Sequence, residues 1–123
     1  MDIRSILMEL CEAFNAHDLE RIMAFFADDC VLEMPRGAKP WGTRVEGKLN
    51  VRAALATRFE GLPDVHYGNE VHFVDSTGTA GISKWTLTGT SRGGRKTEVR
   101  GCDFYTFRNG KVIRKDSYWK IVE

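Results

Sequence analysis

No apolar run in this sequence reaches the roughly 18 residues that a membrane-crossing helix needs. The stretch "MDIRSILMEL" also lacks the basic lead and small-residue cleavage site of a secretory signal, so a cytoplasmic location and no membrane partner are expected. Cysteine is scarce and odd in number. Cys11, Cys30 and Cys102 show neither CxxC nor Cys/His spacing, so neither a disulfide framework nor a zinc site is suggested and they are expected to be small core residues. Charge of neither sign is in excess. With 18 Lys and Arg against 17 Asp and Glu, the chain lacks the concentrated basic footprint of a nucleic-acid binder. Its one basic cluster, "SRGGRK" at 91–96, reads as a solvated hairpin tip. Repeats, linkers and low-complexity tracts are missing too, so residues 1–123 are expected to form one domain.

What is present divides into helices first and strands second. Ile3, Ile6, Leu7, Leu10 and Phe14 recur at helical spacing behind Asp2, an available N-cap, and predict an amphipathic helix over residues 3–15. "NAHD" interrupts it, and His17 in this junction is expected to be a local hydrogen-bonding group. Asp18 then caps a second helix with Leu19, Ile22, Met23 and Phe26 on one face; "ADDC" stops it before "VLEMP", a short strand closed by Pro35. Residues 36–46 read as a loop. A third helix begins near Gly47, carries Val51, Leu55 and Phe59 on one side, and ends at Gly61 and Pro63. From Asp64 onward "DSTG", "RGGR" and "RNGK" are turn signals that divide a β-rich region into four long strands in a meander. His66 and His72, an even number apart, fall on one face of an exposed edge strand, too few ligands for a metal. Helices grouped before an antiparallel sheet give an α+β fold.

The stretch "GCDFYTFRNGK", residues 101–111, puts a carboxylate, Asp103, on the same side of a strand as Tyr105 and Phe107. Its neighbours depend on turn lengths, because a one-residue shift reverses a strand's faces. A two-residue Gly93-Gly94 loop sets Lys84 opposite Asp103, Thr86 opposite Gly101 and Thr88 opposite Val99. For "FRNGK" two readings stay open. A two-residue Asn109-Gly110 loop faces Asp103 with Asp116, two carboxylates sharing a proton. A three-residue Arg108-Asn109-Gly110 loop faces it with Lys115 and gives the more coherent faces. The inner face then holds Val99, Gly101, Asp103, Tyr105, Phe107, Ile113, Ser117 and Trp119. The outer one holds Trp85, Leu87, Cys102, Phe104, Val112 and Tyr118, a semi-apolar surface suited to a second subunit.

Three segments, "FNAHDLERIMAFFADDCVLEMPRG", "VEGKLNVRAAL" and "GCDFYTFRNGKVIRKDSYWK", resemble the nuclear transport factor 2-like superfamily, in particular its SnoaL-like polyketide cyclases and ketosteroid isomerases. The resemblance spans nearly the whole chain. It implies a cone-shaped fold of three N-terminal helices packed on a curved, mostly antiparallel sheet enclosing a pocket. It also implies a homodimer through the outer face, with Trp85, Leu87, Phe104 and Tyr118 in the contact. Asp103 matches the protonated aspartate of the isomerases, but Met34 stands where their base would be and Leu10 or Cys11 where their helix-1 tyrosine would be. Lys84 and Thr86 fall where limonene epoxide hydrolases have Arg and Asp. Ser117 replaces their second aspartate and the cyclases' acid/base aspartate, with Asp116 one position away. Neither the isomerase nor the epoxide hydrolase set is intact.

What remains is a candidate pocket. Asp103 and Lys84 are the expected catalytic pair, the ammonium binding a substrate carboxylate, enolate or phenolate while the carboxylate exchanges a proton. Met34, Trp41, Phe59, Thr86, Tyr105, Lys115, Ser117 and Trp119 are the expected lining, Trp41 either as a lid or as a loop anchor. The competing role for Asp103 is an internal ion pair. The function expected is therefore small-molecule binding without cofactor or metal. Either the protein is an acid/base enzyme of isomerase, cyclase or hydrolase type acting on a small carbonyl or aromatic compound, or it is a non-catalytic dimeric binding domain with the same pocket.

Overall fold

The computed structural model describes residues 1–123. Asp2 accepts a hydrogen bond from the Ser5 backbone N–H (2.8 Å) and starts α1, Ile3–Asn15, whose periodic apolar residues are all buried. Asp18 caps α2, Leu19–Met23, in the same way through the N–H of Arg21. The next element, β1 (Phe26–Glu33), differs from expectation, because "ADDC" is already strand. Pairing overrides the helical pattern here: β1 runs parallel to the last strand, setting Phe26 beside Val112 and Leu32 beside Lys115, and Arg108 grips Asp29 at 2.6 Å. There follow β2 (Arg44–Glu46), α3 (Lys48–Gly61), β3 (His66–Val74), β4 (Ala80–Thr90), β5 (Lys96–Arg108) and β6 (Lys111–Trp119).

The six strands form one sheet in the order β2-β1-β6-β5-β4-β3, antiparallel except where β1 meets β6. Helix α1 lies against β3 and β4, and α3 against β1 and β2, so the helices cover one face of the sheet. The expected α+β architecture is the one found. Between the layers Leu7, Leu10, Phe26, Val51, Tyr105 and Val112 are almost wholly buried. No helix is long and apolar enough to cross a membrane.

Two turns decide which side chains face this core: the first is one residue longer than expected, and the second has the two-residue loop of one open reading followed by a bulge that neither reading contained. Between β4 and β5, Ser91 N–H donates to the Arg95 carbonyl (2.9 Å), leaving Arg92, Gly93 and Gly94 in the loop. That one extra residue sets Ser83 opposite Asp103, Lys84 opposite Cys102, Trp85 opposite Gly101 and Leu87 opposite Val99. Trp85 and Leu87 therefore face the core, not a partner subunit, while Lys84 and Thr86 face outward. Between β5 and β6 the loop is the two residues Asn109 and Gly110, both left-handed at φ +51 and +74 as a type I′ turn requires. A bulge then passes over Ile113: Phe107 pairs with Val112, but Thr106 pairs with Arg114. Asp103 consequently faces Ser117, neither Asp116 nor Lys115, and Lys115 opposes Tyr105 on the same face. Val112, expected outside, is buried beside Phe107. A third irregularity, in β3 around Asn69 (φ +51), separates the histidines: His66 lies opposite Thr88 on the outer face and His72 opposite Ser83 on the inner one.

Candidate functional site

Strand β5 delivers Asp103 to the middle of the inner face, where it is only 5% exposed. A carboxylate there is costly unless its lone pairs are met. Oδ1 accepts from Lys115 Nζ (2.8 Å) and Ser117 Oγ (2.6 Å), and Oδ2 accepts from Trp85 Nε1 (3.0 Å). Lys115 also donates to Ser117 Oγ (2.9 Å), and its Nζ lies 5.4 Å from the centre of the Phe14 ring. Carboxylate, ammonium and hydroxyl thus close a triangle. Each carboxylate oxygen offers two lone-pair positions, so both on Oδ1 are taken and one on Oδ2 is open.

Trp85 reaches Asp103 because of Gly101. A Cβ at that position would sit 2.3 Å from the Tyr118 carbonyl oxygen and 2.7 Å from the Trp85 ring, so only glycine lets the indole lie across the strand. Burial, reinforced by the Asp103 charge, raises the phenol pKa of Tyr67 and of Tyr105 well above the ordinary value. Both remain proton donors at neutral pH.

Beside the triangle lies a cavity of about 40 Å³, walled by Phe14, Leu32, Met34, Pro35, Ala54, Leu55, Tyr67, Trp85 and Trp119 and carrying Asp103, Lys115, Ser117 and Arg58 as its polar groups. A smaller one of about 10 Å³ shares Phe14, Tyr67, Trp85 and Asp103 and adds Leu7, Cys11, Ser83 and Tyr105. Ser83 Oγ is 2.9 Å from His72 Nδ1. The chemistry available is a buried carboxylate with one free acceptor position, two protonated phenols and a guanidinium, all among ring faces.

Of the expected lining, Met34, Lys115, Ser117 and Trp119 meet at the larger cavity with Asp103, and Tyr105 lies at the smaller. Lys84 does not join them: it is exposed on the outer face beside Cys102, and Lys115 makes the ion pair with Asp103 in its place. Thr86 points away as well. Phe59 stacks on His17 at 4.6 Å, behind the wall rather than in it, and His17 Nε2 donates to the Val65 carbonyl (2.7 Å). Trp41 is 44% exposed and packs against the Arg44 guanidinium (4.9 Å), which anchors its loop; it walls neither cavity. Phe14, Arg58, Tyr67 and Trp85 complete the site and were not expected in it. For Trp85 a signal existed, since a glycine inside a strand marks close approach by a large neighbour. For Arg58 and Tyr67 the sequence carries none.

The model of the SnoaL-like domain family matches residues 7–115. No curated protein matches the chain. Solved structures do resemble it. A protein of Pseudomonas putida KT2440, described as a candidate polyketide cyclase, superposes with a TM-score of 0.88 at 18% identity, covering 98% of this chain and 93% of its own. A Mycobacterium tuberculosis protein in complex with estradiol-17β-hemisuccinate gives 0.83 at 27% identity, over 98% of this chain and 96% of the other. TerC, co-crystallised with polyporic acid, gives 0.80 at 19% identity, over 96% and 91%.

Proposed function

Because the chain belongs to the SnoaL-like domain family, we propose that its inner-face cavity binds a small, partly apolar carbonyl or aromatic compound and that Asp103 exchanges a proton with it, without a cofactor. The observation that carries this reading is Asp103 itself: a buried carboxylate on the wall of a mostly apolar cavity, with one acceptor position of Oδ2 open. That position can take a proton from the carbon next to a carbonyl while the C–H electron pair moves into an enolate. Tyr67 is the neutral donor on the same wall for the oxygen where charge develops. Two structural relatives are ligand complexes, one with estradiol-17β-hemisuccinate and one with polyporic acid, which supports a small-molecule role. The cavity has to widen for such a compound, and the flexible side chain of Met34 is the one able to swing aside.

One observation favours a second reading, a non-catalytic binding domain that dimerises through its outer face. The Asp103 and Lys115 side chains are only 7% and 8% exposed and close on each other, while Phe104 and Tyr118 on the outer face are 41% and 57% exposed. Exchange of α-protons from acetophenone and α-tetralone in deuterium oxide, followed by NMR, separates the two. Catalysis shows as exchange above the buffer rate, reduced about 100-fold or more in Asp103→Asn and retained in Lys84→Ala. Binding without exchange supports the second reading, and undiminished exchange in Asp103→Asn removes Asp103 from the chemistry.

A further inference from the structure

We propose that Arg58 is the subsite for the carboxylate of an anionic aromatic ligand. This rests on the reading of the larger cavity as a small-molecule site and adds the charge of what enters it. Three charged side chains line that cavity: Asp103, Lys115 and Arg58. The first two cancel. The Lys115 ammonium donates to Asp103 at 2.8 Å and to Ser117 at 2.9 Å and lies near the face of Phe14, so its charge is already met inside the protein. Arg58 has no such partner, since none of the seven ion pairs in the chain includes it. Of the eleven arginines, Arg21, Arg44, Arg52, Arg108 and Arg114 each meet a carboxylate, and among the other six Arg58 is the one that lines this cavity.

The Arg58 guanidinium lies over the ring of Trp119, 4.5 Å from its centre. That contact uses the face of the guanidinium and orients its edge, which meets no carboxylate and has the Tyr67 hydroxyl as its polar neighbour. A carboxylate fits such an edge with two parallel hydrogen bonds, whereas a neutral amide cannot offer two equivalent charged oxygens. The cavity thus carries one uncompensated positive charge, and a ligand bearing one negative charge neutralises it. Its aromatic part follows from the walls, where Phe14, Tyr67, Trp85 and Trp119 form a continuous series of ring contacts.

Titration of the intact protein with benzoate and with benzamide, its neutral isostere, followed by tryptophan fluorescence at low and high salt, tests this in the wild type, Arg58→Met and Arg58→Lys. Benzoate should bind the wild type about tenfold more tightly than benzamide, and the preference should shrink as salt rises. It should vanish in Arg58→Met, where the two probes should bind alike, and return only in part in Arg58→Lys, whose ammonium has no fork. Equal binding of the two probes by the wild type, or a preference for benzoate that survives in Arg58→Met, overturns the proposal and leaves the cavity a ligand site. No response to either probe overturns the ligand site and the subsite together. If Arg58→Met does not fold, the wild-type preference and its salt dependence still decide.

Discussion

Two carboxylates are buried in this chain, one on each face of the sheet, and they are held differently. Asp103, on the inner face, relies on an ammonium, a hydroxyl and an indole that are themselves buried. Glu33, at the end of β1 on the outer face, is 3% exposed and accepts from Arg44 (2.9 Å) and Arg114 (2.7 Å), whose side chains are both more than a third exposed. The arginines can turn to water if Glu33 is lost; Lys115 cannot. A cavity and an open lone pair lie next to Asp103, and none of the cavities described borders Glu33. Burial and ion pairing alone therefore do not mark a site. The space beside the carboxylate and the aromatic character of its surroundings do.

The largest effect expected from this contrast is in stability. Asp103→Ala strands a buried ammonium and should cost about 3–5 kcal/mol, read from urea unfolding. Glu33→Ala should cost only about 1–2 kcal/mol, because its partners rehydrate. Equal losses would break the contrast.

A smaller effect sharpens it on the outer side. Asp116 pairs with Glu33 across β1 and β6, and burial raises its carboxyl above the ordinary value, opposed by the hydrogen bond that Tyr118 donates at 2.9 Å. The folded chain thus holds this proton more tightly than the unfolded one. The associated stability is complete below the ordinary carboxylate value and is lost as pH rises through the raised one. Asp116→Asn should accordingly gain on the wild type between about pH 3 and pH 7, a change to be read from thermal melts at both ends. A variant that loses ground over that range would show that Asp116 is not the desolvated group.

The helices and their caps were legible because each has a local cause: the period of Ile3, Ile6, Leu7, Leu10 and Phe14, and the side chains of Asp2 and Asp18. The turns were legible in place, but the length of the first and the bulge after the second were not. Gly93-Gly94 and Asn109-Gly110 both suit a two-residue loop, yet the first belongs to a three-residue one and the second is followed by a bulge, which has no composition of its own. The first difference exchanged Lys84 and Thr86 for Ser83 and Trp85 on the inner face. The second left Lys115, Ser117 and Trp119 where they were expected, because two loop residues and one bulge residue have the parity of three. Tyr67 and His72 share the inner face only through the irregularity at Asn69, which pattern alone does not show.

The three tryptophans give the most direct measurement. Trp85 donates its indole N–H to Asp103, Trp119 lies at the cavity under Arg58, and Trp41 sits apart against Arg44. Their indole signals in a proton–nitrogen correlation spectrum can be followed while acetophenone is added. A ligand seated beside Asp103 shifts the Trp85 and Trp119 signals together and saturably, leaves Trp41 still, and finds the Trp85 signal already displaced in Asp103→Asn. Signals that stay in place throughout the titration, or a shift confined to Trp41, would contradict a ligand site at Asp103.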